Sequence, residues 1–265
     1  MARSGALPRE TSPCSLAEDF EEQETGEIFA RLVPAGRIDG LIVTSMRLSH
    51  PLVPLLEERP VPHVFVNRAV PGSGRNVVMD DARAVAIAVD HLVELGHERI
   101  AHVAGPIALE PVLRREKAFR EQAARYELEH VEVAEGDFLE GGGAEAMGWL
   151  LARSPEVTGI FTSTGSQAVG VLNVAWRAGL RVPRDLSIVA HADMRLAEFL
   201  VPPLTAVRAP LGELGAAGVD ALLEQIRSGA TRDVVVTSEP ELVLRGSTAP
   251  PRATAGPQFR AANRP

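Results

Sequence analysis

VVMDDARAVAIAVDHLVELGHERIAHVAGP, residues 77–106, reads as an extended entry, a long apolar helix and a second strand. Asp80 or Asp81 caps the helix, because a carboxylate accepts the free N–H groups of the first turn and suits its positive end. Val85, Ala88, Val89, Leu92 and Leu95 recur at helical spacing and define the buried face. Gly96 stands where the chain leaves the helix in a left-handed conformation, which glycine adopts at least cost. Ile100, Ala101, Val103 and Ala104 then make an apolar strand that stops at Gly105-Pro106. The repeating unit is therefore a helix that feeds a buried parallel strand.

The same alternation extends in both directions. Upstream lie a strand over Ile38–Thr44, a short helix over Leu52–Glu58, a strand over His63–Val66 and a turn-rich loop over Ala69–Gly74. Downstream, Leu113–Tyr126 has the pattern of a charged amphipathic helix, and Val131–Ala134 is a strand running into Glu135-Gly136-Asp137. Gly141–Gly143 head a helix that reaches Arg153; they suit either an anion-binding nest or a flexible loop. Strand Gly159–Ser163, helix Gln167–Ala178 with Gly179 after it, and strand Leu186–Ala190 form another unit. Helix Leu211–Ile226 ends at Ser228-Gly229, and strand Val234–Val236 follows. At the ends, residues 1–24 form a disordered or atypical leader, Leu16–Val33 reads as a helix closed by Gly36, and residues 251–265 form a disordered tail. Strands alternating with helices of ten or more residues, and lacking strict polar/apolar alternation, predict an α/β architecture of parallel sheets flanked by helices.

Composition narrows the function. The chain has 265 residues, 45% of them hydrophobic but only 4% aromatic, so Ala, Val, Leu and Ile must build the core. A net charge of −8 argues against a free-standing nucleic-acid binder, which needs a basic face. One cysteine, Cys14, rules out an internal disulfide framework and suits a reducing cytoplasm. No apolar run reaches membrane-spanning length, and the N-terminal residues contain no export signal.

In open parallel sheets, ligands sit beyond the carboxyl ends of the strands. Here those ends carry Thr44-Ser45, Asn67-Arg68, Gly105-Pro106, Gly136-Asp137, Ser163-Thr164 and His191-Ala192-Asp193. Short polar side chains of this kind hydrogen-bond a small polar molecule better than they break a covalent bond. Catalytic motifs are lacking. His97-Glu98 and His102 are spaced H-E-x-x-x-H and straddle a turn and a strand, so a structural role outweighs zinc binding. Gly72-Ser73-Gly74 lacks the third glycine of a dinucleotide fingerprint, and there is neither a Walker motif nor a nucleophile elbow. No cofactor or metal is expected.

Seven segments, taken in order, resemble the effector-binding core of the LacI/GalR family of bacterial transcription regulators. They are RIDGLIV (37–43), VPHVFVNR (61–68), VVMDD (77–81), HLVELGHERIAHVAGP (91–106), AGLRVPRDLSIVA (178–190), PPLTAVR (202–208) and ELVLRGSTAPP (241–251). The resemblance implies a core like the periplasmic sugar-binding proteins: two α/β lobes, three crossings, a small polar effector in the cleft, and a homodimer. The crossings fall near Met79-Asp80, near Ala209 and near Val236–Glu239. One lobe is then 25–79 with 209–236, and the other 80–208 with 237–250. Operator DNA is bound in such proteins by a helix-turn-helix headpiece that precedes the core. That headpiece, the first core strand and its following helix have no counterpart in these residues, so the first lobe is expected to be incomplete.

The resemblance also implies a set of effector-binding residues: Arg115, Asn67, Thr164, His191, Asp193 and Asp137. Arg115, in REKAF, matches the family's motif arginine, with Ala118 in place of glycine. An arginine there offers a planar fork to hydroxyls or a carboxylate; the competing expectation is a surface ion pair with Glu116 or Glu121. Asn67 replaces a common Asp, and Thr164-Gly165 replace an Asn-Asp pair. The first Asp of the G-[FY]-D-D motif becomes Ala192, between His191 and Asp193. Loss of that acid weakens the case for a simple sugar. The rival function on the same fold is a solute-binding protein for transport or sensing; an enzyme lacks a paired acid–base constellation.

Overall fold

The computed structural model describes residues 38–44, 47, 49, 50, 52–58, 61–128 and 130–252. The expected leader, the helix over 16–33 and residues 253–265 of the tail lie outside these. The chain divides into two compact units, residues 1–38 with 50–60 and residues 39–49 with 61–265. In the first, helix α1 (Leu52–Glu58) buries Leu52 and Leu56, one turn apart. Its Pro54 sits in the first turn, where an N–H would have no helical partner anyway.

The second unit runs β1 (Leu41–Val43), β2 (His63–Val66), β3 (Asn76–Met79), α2 (Asp81–Glu94), β4 (Arg99–Ala104), α3 (Glu110–Arg125), β5 (His130–Glu135) and α4 (Glu140–Arg153). It continues with β6 (Gly159–Thr162), α5 (Gly165–Arg177), β7 (Ser187–His191), a 3-10 turn (Arg195–Phe199) and β8 (Thr205–Arg208). Helix α6 (Leu211–Ser228), β9 (Val234–Val236) and β10 (Glu241–Val243) complete it. Among the described residues the strands form a four-stranded parallel sheet, β1-β2-β3-β9, and a six-stranded sheet, β10-β8-β7-β6-β4-β5. Within the larger sheet β10 alone is antiparallel, against β8. The α/β architecture read from the alternation of strands and helices is the one observed.

Period-two geometry covers the larger sheet on both faces. Ala101, Val103, Ile160, Ile188 and Ala190 pack with Ala146, Met147 and Leu150 of α4 and with Ala168, Val171 and Ala175 of α5. The alternate residues Ile100, Phe161, Val189 and Val207 pack with Ala84, Val85, Ala88, Val89 and Leu92 of α2 and with Phe119 of α3. Each Val, Leu, Ile, Met or Phe among these, fully buried, stabilises by about 1.5–3 kcal/mol, and each alanine by less. In the smaller sheet, Val64, Val66, Val77, Met79 and Val236 pack against Leu214 of α6.

The chain passes from the smaller sheet to the larger between β3 and α2, returns between β8 and α6, and passes again between β9 and β10. Caps set several boundaries. Asp80, not Asp81, caps α2, its Oδ1 accepting the Arg83 N–H at 2.9 Å. Thr164 and Gln167 form a reciprocal capping box on α5. Gly96 and Gly229 leave α2 and α6 with φ of +93° and +74°.

Three local readings are corrected. Helices α3 and α5 begin at Glu110 and Gly165, three and two residues before the starts read from the sequence: the first turn of α3 already buries Pro111 and Val112, and Thr164 caps α5. Gly141–Gly143 form the first turn of α4 and not a loop, and the Gly142 N–H is taken by Asp137 Oδ1 at 3.0 Å. Strands β8 and β10 are too short to stand out as periodic runs.

Candidate functional site

Asp81, one residue beyond the cap, is where the first crossing meets the larger sheet. Its side chain is 0% exposed. Oδ1 accepts from Arg115 Nε at 2.7 Å, and Oδ2 accepts from Arg114 Nη2 at 2.5 Å. One carboxylate of α2 thus holds two successive arginines of α3. Arg114 Nη1 also lies 3.3 Å from Glu110 Oε2, the same oxygen that accepts the Ala69 N–H at 2.9 Å from the loop after β2. An isolated bridge between Arg47 and Leu109 links the segment after β1 to the start of α3, and Arg68 Nη1 donates to the Arg47 carbonyl at 2.6 Å.

His191, the last residue of β7, completes the cluster. It is 2% exposed, and its Nε2 lies 3.8 Å from Asp81 Oδ1, beyond hydrogen-bonding reach, with no partner. Burial pushes the imidazole pKa down to about 3, the Arg115 charge adds to this and Asp81 opposes it, so the ring is neutral at physiological pH. For Asp81 burial acts upward, but the Arg115 and Arg114 charges outweigh it and hold the carboxyl below its usual range. Behind His191, His102 stacks between Phe119 and Phe161, and its Nδ1 meets the Phe161 carbonyl at 3.1 Å. Burial lowers its pKa to about 4.

Of the six residues expected to bind an effector, Arg115 and His191 meet around Asp81. Arg115 pairs with neither Glu116 nor Glu121; those face Arg120 and Lys117 on the exposed side of α3. Asn67 follows β2 with φ +55°, and its Oδ1 is buried without a partner. Thr164 and Asp137 adjoin each other through Gln167: its Nε2 donates to the Asp137 carbonyl, while the Thr164 hydroxyl donates to the Phe138 carbonyl. Asp137 Oδ1 accepts the Leu139 and Gly142 N–H groups. Asp193 stands apart from Asp81's partners, gripped by Arg245 at 2.8 Å and Arg208 at 2.8 Å. Between His191 and Asp193, Ala192 adopts φ +63°, a left-handed backbone that alanine pays to hold.

Sequence reasoning missed Asp81 as the centre of the site. The signal was present in the doubled aspartate at 80–81: only one of two adjacent carboxylates can cap, so the other is available for a different role. The zinc-like histidines are otherwise engaged. His97 binds Thr158 Oγ1 and the Ala249 carbonyl, and no group of three metal-ligating side chains occurs among the described residues.

Two sheets of this topology, with three crossings and a buried polar cluster at the strand ends, define a periplasmic-binding-protein-like core. The profile of the periplasmic binding protein-like domain family matches residues 89–248. The chain is 33% identical over 79% of its length to the HTH-type transcriptional regulator CelR of Thermobifida fusca. It is 31% identical over 80% to the ribose operon repressor of Escherichia coli K12. It spans 63% and 65% of those two relatives, less than two thirds of either. Among solved structures, a LacI family regulator from Mycobacterium smegmatis superposes with a TM-score of 0.80 at 34% identity, covering 85% of this chain and 84% of that one. A CelR–cellobiose complex gives 0.76 at 30% identity, covering 85% and 69%. A LacI family regulator from Enterococcus faecium with bound ribose gives 0.75 at 27%, covering 84% of each chain. This chain belongs to the LacI family of transcriptional regulators and contains its effector-binding core. The relatives it matches are regulators, not enzymes.

Proposed function

We propose that this chain senses a small polar metabolite, a sugar or a close relative of one, and transmits its presence to operator DNA. The observation that carries this reading is the buried Asp81–Arg115–His191 cluster at the carboxyl ends of the strands, where the chain first crosses between sheets. The lobes are 25–79 with 209–236 and 80–208 with 237–250, and the effector lies between them. Arg115, His191 and Asn67 contact it, while Thr164, Asp137 and Asp193 shape the walls through the bonds they already make. Regulators similar to this chain hold cellobiose and ribose, which supports a ligand of that size.

The protein works in the cytoplasm as a homodimer, and DNA is bound by a helix-turn-helix headpiece of the family's kind. An apolar segment supports the dimer: Leu196, Phe199 and Val201 are 53%, 72% and 94% exposed on one short stretch. Among the described residues no helix is long and apolar enough to cross a membrane. The test is thermal denaturation with a panel of sugars and sugar derivatives, D-ribose and cellobiose included. A ligand that raises the melting temperature, with the shift lost in Arg115→Ala, is the expected result. A shift that survives Arg115→Ala would move the site elsewhere.

A further inference from the structure

The charged acceptors and donors at this site are unequally committed, although a neutral acceptor, Asn67 Oδ1, is also open. Each carboxylate beside the strand ends is already occupied. Asp81 serves Arg114 and Arg115, Glu110 serves Arg114 and the Ala69 N–H, and Glu135 accepts the Ile107 N–H. Asp137 accepts two N–H groups at the start of α4, and Asp193 is held by two arginines. A neutral polyol is ordinarily held by acceptors such as these, which take its hydroxyl protons.

The donors are the reverse. Arg115 spends only Nε on Asp81, and among the described residues no acceptor meets its Nη1 or Nη2. Its side chain is 6% exposed. Arg114 Nε is buried without a partner, and so is His191 Nε2. Open guanidinium donors on a side chain this little exposed gain most from a ligand that supplies acceptors. Asp81, by holding Nε, also fixes the plane of the Arg115 fork. A planar fork with its two ends open matches a carboxylate or phosphate.

We infer, resting on the effector-site reading above, that the effector of this protein is an acid, a sugar carboxylate or sugar phosphate. Its oxyanion sits on the open end of Arg115, and a neighbouring hydroxyl sits on His191 Nε2. Asp81 is then the positioning residue that aims the fork.

The experiment pairs acids with their neutral counterparts on the whole chain, by calorimetry and thermal shift at constant ionic strength. The pairs are D-gluconate with D-glucose, D-galacturonate with D-galactose, and D-ribose 5-phosphate with D-ribose, with inorganic phosphate alone as a control. The expected result is that at least one acid binds and its neutral partner binds about tenfold or more weakly. Arg115→Gln should lose that binding, and Arg115→Lys should keep only part of it, because the charge remains but the fork does not. Whether the carboxylates or the phosphate ester respond separates the two sources of oxyanion. Neutral sugars binding as tightly as acids, through Arg115, would overturn the inference and leave the effector site standing. Inorganic phosphate binding as tightly as the ester, unchanged by Arg115→Gln, would mark an adventitious ion and overturn it. Silence from every compound would overturn it together with the effector-site reading. The wild-type comparison of acid with neutral partner decides the matter even where a variant fails to fold.

Discussion

Asp81 and Arg115 stand 34 residues apart in the chain and 2.7 Å apart in the fold, carboxylate oxygen to guanidinium Nε, with neither side chain more than 6% exposed. A buried pair of this kind is held by geometry rather than by net attraction. Desolvating both charges costs several kcal/mol each, and the bond recovers that only while both partners are present.

Asp81→Asn should therefore destabilise the protein by about 3–5 kcal/mol, because Arg115 loses its counter-charge while still buried. Replacing Arg115 as well, as Asp81→Asn with Arg115→Met, should cost clearly less than the two single changes added together. Urea denaturation of the four proteins measures the coupling. Additive costs would show that the pair does not act as a unit.

The buried histidines set an acid limit. Burial lowers His97 and His102 to about 4 and His191 to about 3, against 6.5 as the ordinary value. Their folded-state values lie below the unfolded ones, so above pH 6.5 they cost nothing. As pH falls from 6.5 toward 4 the unfolded chain gains protons that the folded chain refuses. Stability should drop by roughly 1.4 kcal/mol per pH unit for each ring, levelling off below about pH 3. Asp81, held below its usual range, adds a loss at the acid end of that window. Melting temperature against pH, flat above 7 and falling below 6.5, checks this; His102→Gln should reduce the slope by about a third.

Helices α4 and α5 approach too closely for side chains. A Cβ on Gly170 would lie 2.0 Å from the Glu140 carbonyl oxygen, and one on Gly143 would lie 2.1 Å from that of Gln167. Both obstacles are backbone, so Gly170→Ala should destabilise by about 1–3 kcal/mol. Gly148 of α4 has nothing within 4 Å, and Gly148→Ala should instead gain about 0.5–1 kcal/mol through helix propensity. Paired denaturation curves decide; equal effects would refute close helix packing as the cause.

Ser247 ties the last described segment to the larger sheet. Its hydroxyl donates to the Ile188 carbonyl at 2.6 Å and accepts the Thr205 N–H at 2.8 Å, with the side chain fully buried. Ser247→Ala should cost about 1–3 kcal/mol, the penalty for orphaning buried backbone groups. Faster amide exchange at Thr205 in the variant is the local signature to look for.

The α/β architecture was legible because burial imposes period. Val85, Ala88, Val89 and Leu92 must face one way if their helix is to cover a sheet, and Ile100, Ala101, Val103 and Ala104 put apolar side chains on both faces because helices cover both. Gly96 and Gly229 were legible for a similar reason, since a left-handed exit leaves its mark on the one residue that makes it. The resemblance of ordered segments added the family. Short strands with little periodicity, β8 and β10, left no such mark.

What the sequence by itself determined is the set of elements, their covered faces and the family, all consequences of local periodicity and ordered motif. Only the tertiary structure decided which polar groups meet. Asp81 reads equally well as a cap until Asp80 is seen to take that bond, and Arg115 reads equally well as a surface ion until α3 is laid against α2. A hydrogen bond depends on a few ångströms between residues far apart in the chain, and no local period encodes that distance.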